Sequence, residues 1–240
     1  AHRVVANSAT TKAWLGSTLP PLAARTVVVR NGVAGPPGTP TPPRARLDGP
    51  VRLAVIGRMS PRKGTDLAVE VLARLVASGL DAELTVVGDV FPGYEWFAAQ
   101  VRELAERGGV TDRVHFTGAL PQVWDVLDRT DLVLVPSHGE SFGNVVVEAM
   151  LAERPVIVSD THGLTELVRH AENGLLCPPG DAAAWADAVR AAVADWGASA
   201  GRAAVARAEA QQRYALATYH RDLVATATEL LTTRRSHRRS

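Results

Sequence analysis

Residues 132–150 read LVLVPSHGESFGNVVVEAM. The stretch opens with four consecutive aliphatic residues, Leu132–Val135, passes through a polar loop with Pro and Gly, and continues from Val145 in a helical pattern. An apolar run without alternation belongs to a strand covered on both faces, as in a parallel sheet. Strand, loop and helix in that order form the repeating unit of a doubly wound α/β fold. The same rhythm runs outward in both directions. Further short apolar runs lie at Val51–Ile56, Glu83–Val87, Val114–Thr117 and Val156–Val158. Between them Leu67, Val71, Leu72, Leu75 and Val76 form one helical stripe, ended by Gly79. Phe97, Val101, Leu104 and Ala105 form another, ended by Gly108 and Gly109. We therefore expect a Rossmann-like parallel sheet over residues 51–197.

Residues 1–33 carry a smaller unit of the same kind, with strands at Arg3–Ala6 and Thr26–Val29 around a helix at Thr10–Leu15. Residues 34–50 hold six prolines and three glycines, a composition that neither joins a ladder nor continues a helix, and read as a linker or exposed loop. Residues 198–240 are expected to form further helices and a basic tail. Asp181 is placed to cap the helix before them. The closing RRSHRR reads as a solvated end, with contact to an anionic membrane surface as the alternative.

Lys and Arg number 26 against 25 Asp and Glu, a balance that argues against a nucleic-acid partner. A single cysteine, Cys177, excludes an internal disulfide framework, fits a cytoplasmic location and reads as a small core residue. No run approaches the ~18 apolar residues of a membrane span. The chain opens at Ala1 without a signal pattern and reads as part of a longer protein.

Open parallel sheets bind ligands at the carboxyl ends of their strands, so chemistry is sought in the strand-to-helix loops. The loop after Ile56 is GRMSPRKG, residues 57–64. It lacks the glycine spacing of a dinucleotide fingerprint and the order of a P-loop. It does place Arg58 and Lys63 around a Pro-containing turn just before a helix, an arrangement suited to a diphosphate or, alternatively, two solvated charges. In the loop after Val135, Gly143 and Asn144 start a helix whose free N–H groups form an anion site. Glu140 before that helix and Glu148 within it can accept hydrogen bonds from two polyols of one ligand. The alternative makes Glu148 an exposed residue or a partner for Lys63. In a third loop, residues 160–166, His162 reads as a bystander and Glu166 as a first-turn residue complementing a helix dipole. His115, His170 and His220 have no neighbours at metal-ligand spacing, and no metal site is expected.

Taken together, Gly57-Arg58 with Lys63-Gly64, the Glu140-Ser141-Phe142-Gly143 segment and Glu148 resemble the signature of the group-one family of retaining glycosyltransferases with the GT-B fold. Asn31-Gly32-Val33, Phe116-Thr117-Gly118 and Asn173-Gly174-Leu175 before Pro179-Gly180-Asp181 are similar to further family segments. The resemblance covers residues 1–231. It implies that Arg58 and Lys63, beside Gly64, hold the donor diphosphate and stabilise its departure. It implies that Glu140 meets the sugar hydroxyls and that Ser141, Phe142, Gly143 and Asn144 present backbone amides to sugar and phosphate. Glu148 would take the ribose, and Gly118 and Ala119 the base. Two positions depart from the family pattern: Ala34 stands where an Asp usually follows Asn-Gly-Val, and His162 replaces the first of two glycines.

The function so implied is metal-free, cofactor-free transfer of a hexose from a UDP- or GDP-linked donor, in the cytoplasm or at the cytoplasmic membrane face. Residues 1–33 would be the remnant of an N-terminal acceptor domain. Without that domain the chain is expected to bind donor weakly and transfer nothing. A nucleotide-sugar 2-epimerase and a non-catalytic nucleotide-sugar-binding module are the alternatives.

Overall fold

The computed structural model describes residues 3–237, with side chains as far as Leu230. Two parallel strands, β1 (Val4–Ala6) and β2 (Thr26–Val28), pair around α1 (Ala9–Thr18) and the short α2 (Pro20–Ala23). The main sheet contains β3 (Val51–Ile56), β4 (Ala82–Val87), β5 (Val114–Gly118), β6 (Leu132–Val135), β7 (Val156–Ser159) and β8 (Leu175–Cys177). All neighbours in it are parallel, in the order β5-β4-β3-β6-β7-β8. Four of the five apolar runs therefore become the central strands β3, β4, β6 and β7, of which β6 and β7 are buried at every position, while the run at Val114–Thr117 becomes the edge strand β5.

Helices cover both faces. On one, Leu53 and Val55 of β3 and Leu84 and Val86 of β4 pack with α3 (Thr65–Ala77), α4 (Glu95–Arg107) and α7 (Ala182–Ala194). On the other, Ala54 and Ile56 pack with α5 (Trp124–Arg129), α6 (Asn144–Leu151) and α8 (Trp196–Arg213). The two-residue alternation along β3 feeds two separate cores, which is why the strand reads as one apolar run. Asp181 caps α7 as expected, accepting from the N–H groups of Ala183 and Ala184. The short α5 has no counterpart in the sequence reading. It buries only Val126 and Leu127, too few residues to define a period.

One expectation is corrected. No helix follows β7: residues 162–167 are a succession of turns. Glu166 nevertheless serves a helix N-terminus, that of α1. Its carboxylate accepts from the N–H groups of Ala9 (3.0 Å) and Thr10 (2.8 Å) and from the Thr10 hydroxyl (2.9 Å). These bonds, with Arg30 at 3.7 Å, hold its carboxyl below the ordinary carboxylate range although its partial burial acts first and in the opposite direction. Residues 34–50 form neither helix nor strand but are not free of the domain. Arg44 grips the buried Asp131 with Nε at 2.8 Å and Nη2 at 2.5 Å, and Trp196 Nε1 donates to the Arg44 carbonyl at 2.6 Å. The buried Arg154 donates to the carbonyls of Thr41, Thr130 and Ala152.

Several large apolar residues outside the main sheet stand in solvent, among them Trp14 at 61% exposure, with Leu216 and Val224 on α9 (Leu216–His237). The RRSHRR tail lies outside the described side chains.

At the carboxyl edge, Gly64 is left-handed (φ 68°), and a Cβ there would run into the Pro136 carbonyl oxygen. Gly64→Ala should destabilise the protein by more than ~2 kcal/mol, combining backbone strain with a clash against immobile main chain. Urea unfolding with an unchanged m value is the measurement; a loss below 0.5 kcal/mol, on the order of an exposed substitution, would show that the loops do not depend on this approach. Cys177 is buried in the core, and burial, assisted by Asp181, pushes its thiol up to about 11. Iodoacetamide at neutral pH should leave it unmodified in the native state and alkylate it in denaturant, as mass spectrometry would reveal.

Candidate functional site

The strand order reverses between β3 and β6, which are neighbours although β4 and β5 intervene in sequence. Ligand crevices form at this switch point, because the two loops leave in opposite directions. The loop after β3 closes into a turn of 3-10 helix, Pro61–Lys63, ahead of α3. The loop after β6 ends at Gly143 (φ 106°), the cap of α6, where a Cβ would press on Leu164. His138 N–H donates to the Arg62 carbonyl at 2.9 Å and Arg62 Nη1 to the Gly139 carbonyl at 2.7 Å, tying one loop to the other.

Between them lies a cavity of about 220 Å³. Arg58, Lys63, Glu140, Ser141, Phe142, Gly143 and Asn144, all expected at a site, line it. The remaining candidates, Gly64, Gly118, Ala119 and Glu148, do not line it. Gly64 shapes the loop from beneath. Glu148 sits in α6, just past its first turn and half-buried; Gly118 and Ala119 lie at the end of β5, beyond β4.

The charges are arranged with an asymmetry invisible in the sequence. Lys63 Nζ donates to Glu140 Oε1, which also accepts from the Ser137 hydroxyl at 3.1 Å, while Arg62 approaches Oε2 at 3.6 Å. The Glu140 side chain is only 9% exposed, so its charge requires these partners. The Glu148 carboxylate, in contrast, makes no hydrogen bond or ion pair among the described residues, and burial raises its pKa above the ordinary range. Glu148 is therefore neither an exposed residue nor the partner of Lys63. Arg58 likewise has neither hydrogen bond nor ion pair; its guanidinium lies 4.0 Å from the centre of the Phe91 ring. The start of α6 has no side-chain cap, leaving its first N–H groups to whatever enters the crevice.

Three residues here had been given no role from the sequence. Arg62 supports Glu140, and Asn31 lines the cavity and donates to Asn144 Oδ1 at 2.9 Å. Gly163 (φ 80°) packs so closely on the Glu140–Ser141 backbone that no side chain fits. His162 beside it is exposed and does not line the cavity. Asn7 Nδ2 reaches the Ser141 hydroxyl at 3.4 Å, so the small N-terminal unit touches the same loop.

The sequence model of the family described as glycosyl transferases group 1 matches residues 50–195. A glycogen synthase of Mycobacterium tuberculosis is 33% identical over 186 residues, covering 77% of this chain and 44% of the relative. A D-inositol 3-phosphate glycosyltransferase of Nocardia farcinica is 35% identical over 167 residues, covering 66% of this chain and 37% of the relative. This chain thus spans less than half the length of these curated relatives. Among solved structures, Anabaena HepE in complex with UDP and glucose superposes with a TM-score of 0.86 at 27% identity, covering 95% of this chain and 63% of that one. Sucrose-phosphate synthase from Thermosynechococcus elongatus superposes at 0.82 with 26% identity, over 96% of this chain and 58% of that one. With the parallel sheet, the crevice at its switch point and the family match over residues 50–195, this chain belongs to the group 1 glycosyl transferases, a family of enzymes with the GT-B fold.

Proposed function

We propose that this chain is the donor-binding part of a retaining glycosyltransferase that moves a hexose from a nucleoside diphosphate sugar, with UDP-glucose as the first donor to test. The observation that carries this reading is the convergence of Arg58, Lys63, Glu140 and the uncapped start of α6 on one crevice. The UDP and glucose bound by the Anabaena neighbour support the donor class, and the transferase relatives favour transfer over 2-epimerisation. A second domain supplies the acceptor, and residues 3–29 belong to its edge.

In this reading Arg58, Lys63 and the α6 N–H groups neutralise the diphosphate as it departs, the electrostatic role a metal fills elsewhere. Glu140 engages the sugar hydroxyls, Glu148 the ribose, and the backbone at Gly118 and Ala119 the base. Lys63 and Glu140 are each other's partners before donor arrives. Donor entry exchanges both at once: the diphosphate takes Lys63, and the sugar hydroxyls replace the ammonium at Glu140.

Glu140→Gln removes the anion competing for Lys63. It should therefore bind UDP no more weakly than wild type while losing about 1.5–3 kcal/mol toward UDP-glucose. Glu148→Gln should weaken both ligands alike. Calorimetric titration of the two variants separates the roles, and a parallel loss of UDP and UDP-glucose binding in Glu140→Gln would refute the sugar assignment.

Stability should respond in the opposite sense at Glu148. A carboxyl raised in the folded state stabilises below its ordinary pKa, and that contribution is lost as pH rises through the folded value. Above the ordinary carboxylate range, burial of the carboxyl opposes folding. Glu148→Gln should therefore raise Tm at pH 7, with the advantage shrinking on acidification as wild type becomes protonated. An unchanged or lowered Tm at pH 7 would mean the carboxylate is compensated in the free protein.

A further inference from the structure

Lys63 faces a carboxylate, and Arg62 is spent on the Gly139 carbonyl and Glu140. Arg58 is held differently, by the face of Phe91. That phenylalanine is 44% exposed and contributes little to the core, so its place calls for a local reason. The loop after β4 that carries it is locked in register with the Arg58 loop. Gly57 N–H donates to the Val87 carbonyl and Met59 N–H to the Asp89 carbonyl, both at 2.9 Å, and Met59 and Val90 form an isolated parallel bridge. Gly88 brings the loops so close that a Cβ would strike the Gly57 carbonyl oxygen. Beyond Phe91 the turn is closed by Tyr94 N–H donating to the Phe91 carbonyl at 2.9 Å. Met59 is buried, so the residue next to Arg58 is anchored in the core.

We propose that Phe91 is the positioning residue for Arg58, holding the guanidinium plane at the mouth of the crevice with its N–H donors free for a diphosphate. The physical logic lies in what a ring does not take. A carboxylate would hold the arginine more firmly, but it would consume the donors and the charge that the phosphates need. An aromatic face attracts the cation through its quadrupole and occupies only the flat side of the guanidinium, leaving the edge that forms bidentate bonds. Two of the three cations lining the crevice are thus held on different terms: Lys63 must exchange a partner on ligand entry, and Arg58 need not. This inference rests on the diphosphate reading above.

The test uses the full chain with UDP and GDP as probes. Phe91→Leu keeps apolar bulk without the ring and should weaken diphosphate binding about two- to fivefold, the range of a cation–π contact at an exposed site. Phe91→Trp should restore wild-type affinity. In an Arg58→Gln background Phe91→Leu should cost nothing more, because the ring acts through the arginine. In the free protein, NMR should show Arg58 Cδ protons shifted upfield by the ring current, and Phe91→Leu should abolish that shift while leaving Tm unchanged. An equal loss in the Arg58→Gln background would overturn the proposal, since Phe91 would then touch the ligand itself. So would the absence of the ring-current shift in the wild type. A wild-type protein that shows the shift but binds neither nucleotide would overturn the diphosphate reading, and with it the purpose assigned to Phe91. The ligand-free spectrum distinguishes that failure from a failure of the contact.

Discussion

The approach of Gly64 to the Pro136 carbonyl sets the geometry on which the rest of the site depends. It is a contact between the loops of β3 and β6, and only a residue without a side chain allows it. The two strands are neighbours because the sheet reverses its order there, so the approach follows from topology before chemistry enters. Once the loops meet, Lys63 and Glu140 fall within reach of one another and the start of α6 faces Arg58 across the same cavity. The cationic wall and the acidic wall are therefore consequences of one steric allowance. Gly163 repeats the device behind the second loop, where the Glu140 carbonyl oxygen leaves no room for a Cβ, and Gly143 (φ 106°) supplies the left-handed turn into α6.

Electrostatically, the crevice holds its charges under tension of different kinds. Glu140 is almost wholly buried but compensated by Lys63, Ser137 and Arg62. Glu148 is partly buried and uncompensated, with its protonated form favoured by burial. A polar group held without a partner in a folded protein costs free energy, and such costs gather where a ligand later supplies the missing bonds. The two glutamates differ in that respect, although the sequence presents them as an equivalent pair eight positions apart.

The sheet was legible because its strands are apolar runs bounded by Gly, Pro or charge, and because burial on both faces removes any competing alternation. The candidate residues of the two loops were legible because they occupy strand carboxyl ends in a fixed order. What escaped were relations between distant positions. Lys63 and Glu140 are 77 residues apart, and Glu166 caps a helix 157 residues before it. No local pattern records such pairs. Phe91 escaped for another reason: an aromatic in a Pro-Gly loop has no periodicity, and its significance appears only when the backbone of the neighbouring loop is laid beside it. The short α5 was missed for want of a repeat long enough to show a face.

The clamp of Arg44 on Asp131 changes what residues 34–50 can contribute. A free flexible chain of that length would let its ends wander about 20 Å, and the unit before it would sample a wide volume. Here the segment is fastened along the domain at Thr41, Arg44 and Leu47, so its slack is removed. The small N-terminal unit is joined to the sheet by two backbone crossings that lie side by side, where Val33 bridges Ala215 and its N–H donates to the Tyr214 carbonyl. Main chain paired at that point, together with the bonds from Glu166 to the start of α1, seats the small unit beside the loop bearing Ser141 and Asn144, which it touches through Asn7 and Asn31.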